Sequence, residues 1–293
     1  MIDQAQYLRR YMEEYKKKKE SNVQKDIRVI SVASGKGGVG KTNFSVNLAI
    51  ALKEMGNSVM VFDADLGLAN VDVIAGVVPK YNLYDVIFNN KKIEDIVLDG
   101  PKGIKLIPGG SGIESLSNLD EDQISSLSSE FGKFKDIDIL IVDIGAGLSK
   151  NVMGFMAVSD EVIVLTTPEP TSITDAYGLI KVALKYVPES RFHLVVNKAL
   201  DKKEAKIAST KICDTVNQFL SKEINYLGYV IDDVSVKKAV MQQTPFKVLY
   251  PKCSASICID NIASEITGLK KQNGNGRNIT TFFNKVAYLF SRL

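Results

Sequence analysis

Residues 35–42 read Gly35-Lys36-Gly37-Gly38-Val39-Gly40-Lys41-Thr42, and they decide the fold. They fit GxxxxGK[ST]. Before them stands a short β-branched run, Arg28–Ala33; after them comes a helical pattern, Asn43–Glu54. That context separates a phosphate loop from an ordinary glycine turn. Glycines let consecutive backbone N–H groups close around phosphate oxygens, and a helix start at Lys41 adds its positive dipole end. In such a loop Gly35 to Thr42 and Asn43 surround the phosphates. Lys41 reaches the β- and γ-phosphates, and the Thr42 hydroxyl ligates Mg²⁺. The expected ligands are ATP or ADP with Mg²⁺.

Outward from the loop, Ser58–Phe62, Lys105–Ile107, Ile137–Val142, Glu161–Leu165, Phe192–Val196 and Tyr226–Val230 are further strand candidates, with helical patterns between most of them. Apolar, non-alternating strands separated by helices predict an α/β fold: one doubly wound domain, a mainly parallel sheet covered by helices on both faces. Two of these strands run into acids. Asp63 and Asp65 follow the second, and Ile139–Val142 closes on Asp143, the Walker B pattern. Open α/β sheets place ligands at these carboxyl ends. By position, Asp65 is expected to orient an attacking water, while Asp63 and Asp143 hold Mg²⁺ through water.

The chain has 293 residues, 45% of them hydrophobic, enough for one large core. Its net charge of +3 is uneven: residues 1–25 carry seven Lys/Arg against four Asp/Glu, and residues 270–293 carry five and none. The body between is therefore mildly acidic and both ends are basic. Three cysteines, Cys213, Cys253 and Cys258, form no CxxC pair, and His193 is the only histidine, which argues against a zinc site or disulfide framework. With no secretory segment and no apolar run near eighteen residues, the expectation is a cytoplasmic protein.

Lys36, a second lysine inside the loop, is not needed by an ordinary phosphate loop. The run SGKGGVGKT resembles the deviant Walker A family, which includes MinD, ParA, the nitrogenase iron protein and the Mrp-type cluster carriers. The resemblance implies an ATP-sandwich homodimer in which Lys36 acts on the partner's nucleotide, so Lys36, Lys41 and Asp65 would be the catalytic set. Phe62-Asp63-Ala64-Asp65-Leu66-Gly67 resembles the family's switch I, with Asp65 and Gly67 as switch residues. Ile144-Gly145-Ala146-Gly147 resembles switch II, with Gly145 where a common form has proline; the loop is expected to be more flexible for it. Asn197-Lys198 is similar to the adenine-reading site. Ile231-Asp232-Asp233 lies where relatives often carry Pro-x-Asp near the base, with Ile231 in place of the proline, and Ile231 and Asp232 are the residues expected there.

The ends differentiate the branches. Ile279, Phe282, Phe283, Val286, Leu289, Phe290 and Leu293 fall on one helical face, with Lys285, Arg292 and Arg277 nearby. This suits a helix lying in an anionic membrane interface. The same spacing also suits a last core helix. At the other end, Asp3-Gln4-Ala5-Gln6-Tyr7-Leu8-Arg9-Arg10 resembles the DQAxxLR element of the FlhG (YlxH, FleN) proteins, MinD-like ATPases that set flagellar number and placement. That resemblance implies a helix whose Asp3, Gln4, Leu8 and Arg9 activate the GTPase FlhF, further contacts with flagellar C-ring proteins, and a slow regulatory ATPase. It also implies attachment to the inner face of the cell membrane in the ATP state. The expected organisation is 1–25 activating helix and linker, 26–269 ATPase domain, 270–278 linker and 279–293 membrane helix. ParA-type DNA partitioning would need a basic body, and here the body is acidic, so no specific DNA binding is expected. Division-site placement stays close, sharing fold and tail. An iron–sulfur carrier would need paired cysteines.

Overall fold

The computed structural model describes residues 27–65, 70–110, 112–116, 119–134, 136–187, 190–269 and 278–290. The activating element (Asp3, Gln4, Leu8, Arg9), the switch residue Gly67 and the stretch 270–277 lie outside the described residues.

Eight strands form one sheet: β1 Arg28–Ser34, β2 Val59–Ala64, β3 Leu98–Asp99, β4 Lys105–Pro108, β5 Ile139–Ala146, β6 Glu161–Thr166, β7 Arg191–Ala199 and β8 Asn225–Ile231. Their order is β3-β4-β2-β5-β1-β6-β7-β8. The pairs are parallel except β3 with β4, a two-residue antiparallel edge that its length hides in the sequence. The principal helices are α1 Lys41–Glu54, α2 Val71–Ala75, α3 Glu121–Phe131, α4 Lys150–Val158, α5 Pro170–Tyr186, α6 Lys202–Leu220, α7 Val234–Met241, α8 Ser254–Gly268 and α9 Ile279–Phe290.

Alternation along β5 shows why both faces are covered. Leu140, Val142 and Ile144 point into one core, and Ile139 and Ile141 into the other. With period 2, a strand apolar at every position needs helices above and below. Residues of α1 and α8 fill the Ile141 side. Residues of α3, α4, α5 and α9 fill the Leu140 side.

In the structure Ile279–Phe290 is a helix docked on the sheet, the core-helix alternative that the same spacing allows; Arg292 and Leu293 lie outside the described residues. The predicted membrane residues Ile279, Phe282, Phe283, Val286, Leu289 and Phe290 are all at most 3% exposed, and Lys285 is 5% exposed. Asn278 caps α9, its Oδ1 accepting the Thr281 N–H at 2.7 Å. Phe283 meets Phe62 of β2 edge to face at 5.3 Å, and Phe290 lies 4.9 Å from Phe155 of α4. The physical reason is plain: the apolar face that suits an acyl boundary also suits a bare sheet face, and periodicity cannot choose between them. Among the described residues no helix is long and apolar enough to cross a membrane.

At the N-terminal ends of the central strands, away from the glycine loop, Arg28 donates to both oxygens of Glu161, each at 2.7 Å, and to the Ile266 carbonyl of α8 at 2.6 Å. His193 Nε2 lies 2.8 Å from the same carboxylate. Burial alone would raise the Glu161 pKa, but the hydrogen bonds from His193 and Arg28 hold it down at about 2. This paired, hydrogen-bonded group fixes β1, β6, β7 and α8 together below the site, and so gives the loop after β1 a rigid base.

Candidate nucleotide site

The glycine loop joins the end of β1 to the start of α1, where the chain order of the sheet reverses: β1 lies between β5 and β6, and β2 lies beyond β5. This is the crevice in which open α/β sheets hold ligands. Gly40 stands at the N-cap of α1 with φ +94, and Gly38 has φ +76. A Cβ on Gly35 would lie 2.2 Å from the Asp175 carbonyl of α5, so that position has no room for a side chain. Around Gly37 and Gly38 a Cβ would meet nothing within 4 Å, which leaves the mouth of the loop open.

The two lysines of the loop behave differently. Lys41, first residue of α1, is 8% exposed. Lys36 turns to the surface, where its Nζ donates to Glu169 Oε2 at 3.0 Å and Thr171 Oγ1 at 3.2 Å at the N-terminal end of α5. Its side chain is 42% exposed and that of Glu169 is 65% exposed. A pair this exposed is worth at most about 1 kcal/mol and breaks readily.

The carboxylates converge from neighbouring strands. Asp63 and Asp143 are register partners of β2 and β5, 2% and 1% exposed. Asp143 accepts from the Ser45 hydroxyl at 2.8 Å and from the Thr42 hydroxyl, with Lys41 as a nearby positive charge. Burial nonetheless raises its pKa. Asp63 accepts from the Asp65, Asn70 and Val71 amides at 3.2, 3.0 and 3.1 Å, which ties the two ends of the switch I loop to one carboxylate. Burial first, and the Asp143 charge second, push Asp63 up to about 7. Two buried acids facing one lysine and two hydroxyls suit a divalent cation, which would offset both charges. Among the described residues no three His, Cys, Asp or Glu side chains gather into a self-sufficient metal cage. The donor set fits Mg²⁺, which keeps waters and takes phosphate oxygens.

Strand β5 runs past Asp143 as far as Ala146, so three of the four switch II residues, Ile144, Gly145 and Ala146, are strand. Gly145 packs close to switch I: a Cβ there would stand 3.2 Å from Asp65 Oδ1. Asp65 therefore lies against switch II. Gly147 has φ +92, and its N–H donates to the Ser34 carbonyl at 2.9 Å, joining switch II to the root of the loop.

The base side was read as Asn197, Lys198, Ile231 and Asp232. The ends of β7 and β8 bring them together, Ala199 being paired with Ile231 and the Asp232 N–H donating to the Ala199 carbonyl at 2.9 Å. Asn197 Nδ2, however, donates to the Val39 carbonyl at 2.7 Å, and Lys198 Nζ to the Gly38 carbonyl at 2.8 Å. Both side chains brace the loop. Sequence reading missed Ser45, Glu169 and Thr171. Ser45 carries a signal in its spacing, one helical turn from Thr42 on the same face of α1; Glu169 and Thr171 carry none.

The AAA domain family matches residues 27–201. The antiactivator FleN of Pseudomonas aeruginosa is 40% identical, over 82% of this chain and 86% of its own length. The flagellum site-determining protein YlxH of Helicobacter pylori is 36% identical, over 81% of each chain. Among solved structures, the septum site-determining protein MinD of Pyrococcus horikoshii complexed with Mg-ADP superposes with a TM-score of 0.66 at 24% identity, covering 83% of this chain and 96% of that one; this likeness speaks for the fold alone. With a phosphate loop, two strand-end acids and a brace from β7 in one crevice, the chain belongs to the MinD/ParA family of P-loop ATPases, on the branch that holds FleN and YlxH.

Proposed function

We propose that this chain is a slow regulatory ATPase that sets the number and placement of flagella, cycling between a monomer and an ATP-bound homodimer. The observation that carries the reading is the division of labour between the lysines. Lys41 is buried at the root of α1, while Lys36 is held at the surface by a weak pair. A cation displayed at the mouth of the loop is placed for an anion beyond its own protomer, and in the dimer that anion is the partner's phosphate. The flagellar role is supported by the likeness to FleN and YlxH.

Within one protomer, the loop amides and Lys41 bind the phosphates. Thr42 would ligate Mg²⁺, with Asp143 and Asp63 placed to hold its waters; bound there, the ion would supply charge neutralisation along the phosphates. Asp65 orients the attacking water, and its place beside Gly145 lets switch II follow the state of switch I. The base takes the Oδ1 side of Asn197, whose Nδ2 is committed to Val39, and lies toward Ile231 and Asp232. In the ATP dimer α9 leaves its seat and its apolar face enters the anionic inner surface of the cell membrane. Two such helices in one dimer raise avidity far beyond one. The segment with Asp3, Gln4, Leu8 and Arg9 activates the GTPase FlhF, and C-ring proteins receive the loaded dimer.

The test is Lys36→Ala in the full chain. Sizing with a nonhydrolysable ATP analogue should show wild type as a dimer and the variant as a monomer, while nucleotide affinity stays within about threefold, because the lost group is a surface cation. A variant that dimerises like wild type would refute the role given to Lys36.

A further inference from the structure

Two successive carbonyls of the loop are gripped by side chains from the end of β7. Asn197 Nδ2 takes the Val39 carbonyl and Lys198 Nζ takes the Gly38 carbonyl, both from the end of β7. Every described peptide bond is trans. In a trans unit the C=O and N–H point to opposite sides. Anchoring the Gly38 carbonyl therefore turns the Val39 N–H away from Lys198, and anchoring the Val39 carbonyl turns the Gly40 N–H away from Asn197. A hydrogen bond at the carbonyl end also polarises the unit and strengthens its N–H as a donor, more so when the partner is charged.

The backbone at Lys198 supports a fixed purpose. Its φ is +57, in the left-handed region, at a residue with a full side chain. Such a position costs about 1–2 kcal/mol and persists where the surroundings impose it. The side chain is exposed, so burial does not explain the strain. What the left-handed turn accomplishes is to send a lysine ammonium back to Gly38, across 160 residues of sequence.

We propose that Lys198 is a positioning residue of the phosphate site: it orients and polarises the Val39 N–H through the Gly38 carbonyl and does not touch the nucleotide. This differs from its assignment to the base. It rests on residues 35–42 being a phosphate loop.

The two roles separate by ligand. Calorimetry on the full chain would measure Mg-ATP and inorganic tripolyphosphate, which has no base or ribose, with wild type, Lys198→Ala, Lys198→Gly and Lys198→Arg. The expected result is that Ala and Gly weaken both ligands by the same factor, about three- to tenfold for one hydrogen bond. Lys198→Gly should do so without lowering the melting temperature, since glycine relieves the strained φ; that separates positioning from folding. Lys198→Arg, which keeps a cationic donor, should recover most of the loss. A loss confined to Mg-ATP would place Lys198 on the base or ribose and overturn the inference, as would unchanged affinity for both. If wild type binds neither ligand, the phosphate-loop reading fails and the inference falls with it.

Discussion

Gly154→Leu is expected to expel the last helix from its seat. Gly154 lies on α4 where α9 crosses it, and even a Cβ there would stand 2.8 Å from Leu289 Cδ2 and 2.9 Å from Phe290 Cε2. Those atoms are the far ends of side chains, so Gly154→Ala should be absorbed by small shifts of both Leu289 and the Phe290 ring. A leucine adds three more carbons and has nowhere to put them. Overpacking of this kind costs about 1–3 kcal/mol. That is large against the net stability of docking, because burial of α9's apolar face is mostly offset by the ordering of its backbone. At about 1.4 kcal/mol per factor of ten, the released population should rise five- to a hundredfold. Limited proteolysis should then cut within residues 270–293 without nucleotide, and the variant should sediment with anionic liposomes in ADP. A Gly154→Leu chain as resistant as wild type and still dependent on ATP would show that the α4 seam does not hold the helix.

Asp65→Ala should leave nucleotide binding intact and stop the cycle. The carboxylate sits beside Gly145, near Asp63 and Asp143, while Asp63 holds the Asp65, Asn70 and Val71 amides through bonds that do not use the Asp65 side chain. Removing Asp65 therefore takes away water orientation while the switch I frame stays. A positioned general base is worth about 10²–10⁴-fold, so phosphate release should fall at least a hundredfold. With ATP, the variant should accumulate as a dimer on liposomes. Wild-type turnover in the variant would remove Asp65 from the chemistry. A dead variant that stays monomeric with ATP would break the link between trapped nucleotide and attachment.

Much of this was legible because it depends on short-range rules. A β-branched run, four glycines and Lys-Thr can fold in few ways, and β1, the loop and α1 stand where those rules put them. Asp63 and Asp143 were readable because an apolar strand ending in an acid places that acid at the ligand edge. Long-range contacts were not readable. Nothing local tells that Lys36 finds Glu169 and Thr171 across 133 residues and more, or that Asn197 commits its amide to Val39. Nor does anything local to Gly145 tell that the Asp65 carboxylate stands close by, 3.2 Å from where a Cβ would lie. The last helix was the hardest case, since seven apolar positions on one face describe a membrane surface and a protein core equally well. Only Phe62, Phe131 and Phe155, distant in sequence, show which of the two covers it here.

The most direct test of the account is liposome co-sedimentation of the wild-type chain, with ADP and with a nonhydrolysable ATP analogue, with and without residues 279–293. Only the full chain with the ATP analogue is expected to pellet, and to do so as a dimer. Equal sedimentation in ADP and in the analogue, or sedimentation that survives removal of residues 279–293, would contradict the central claim that nucleotide state frees the last helix.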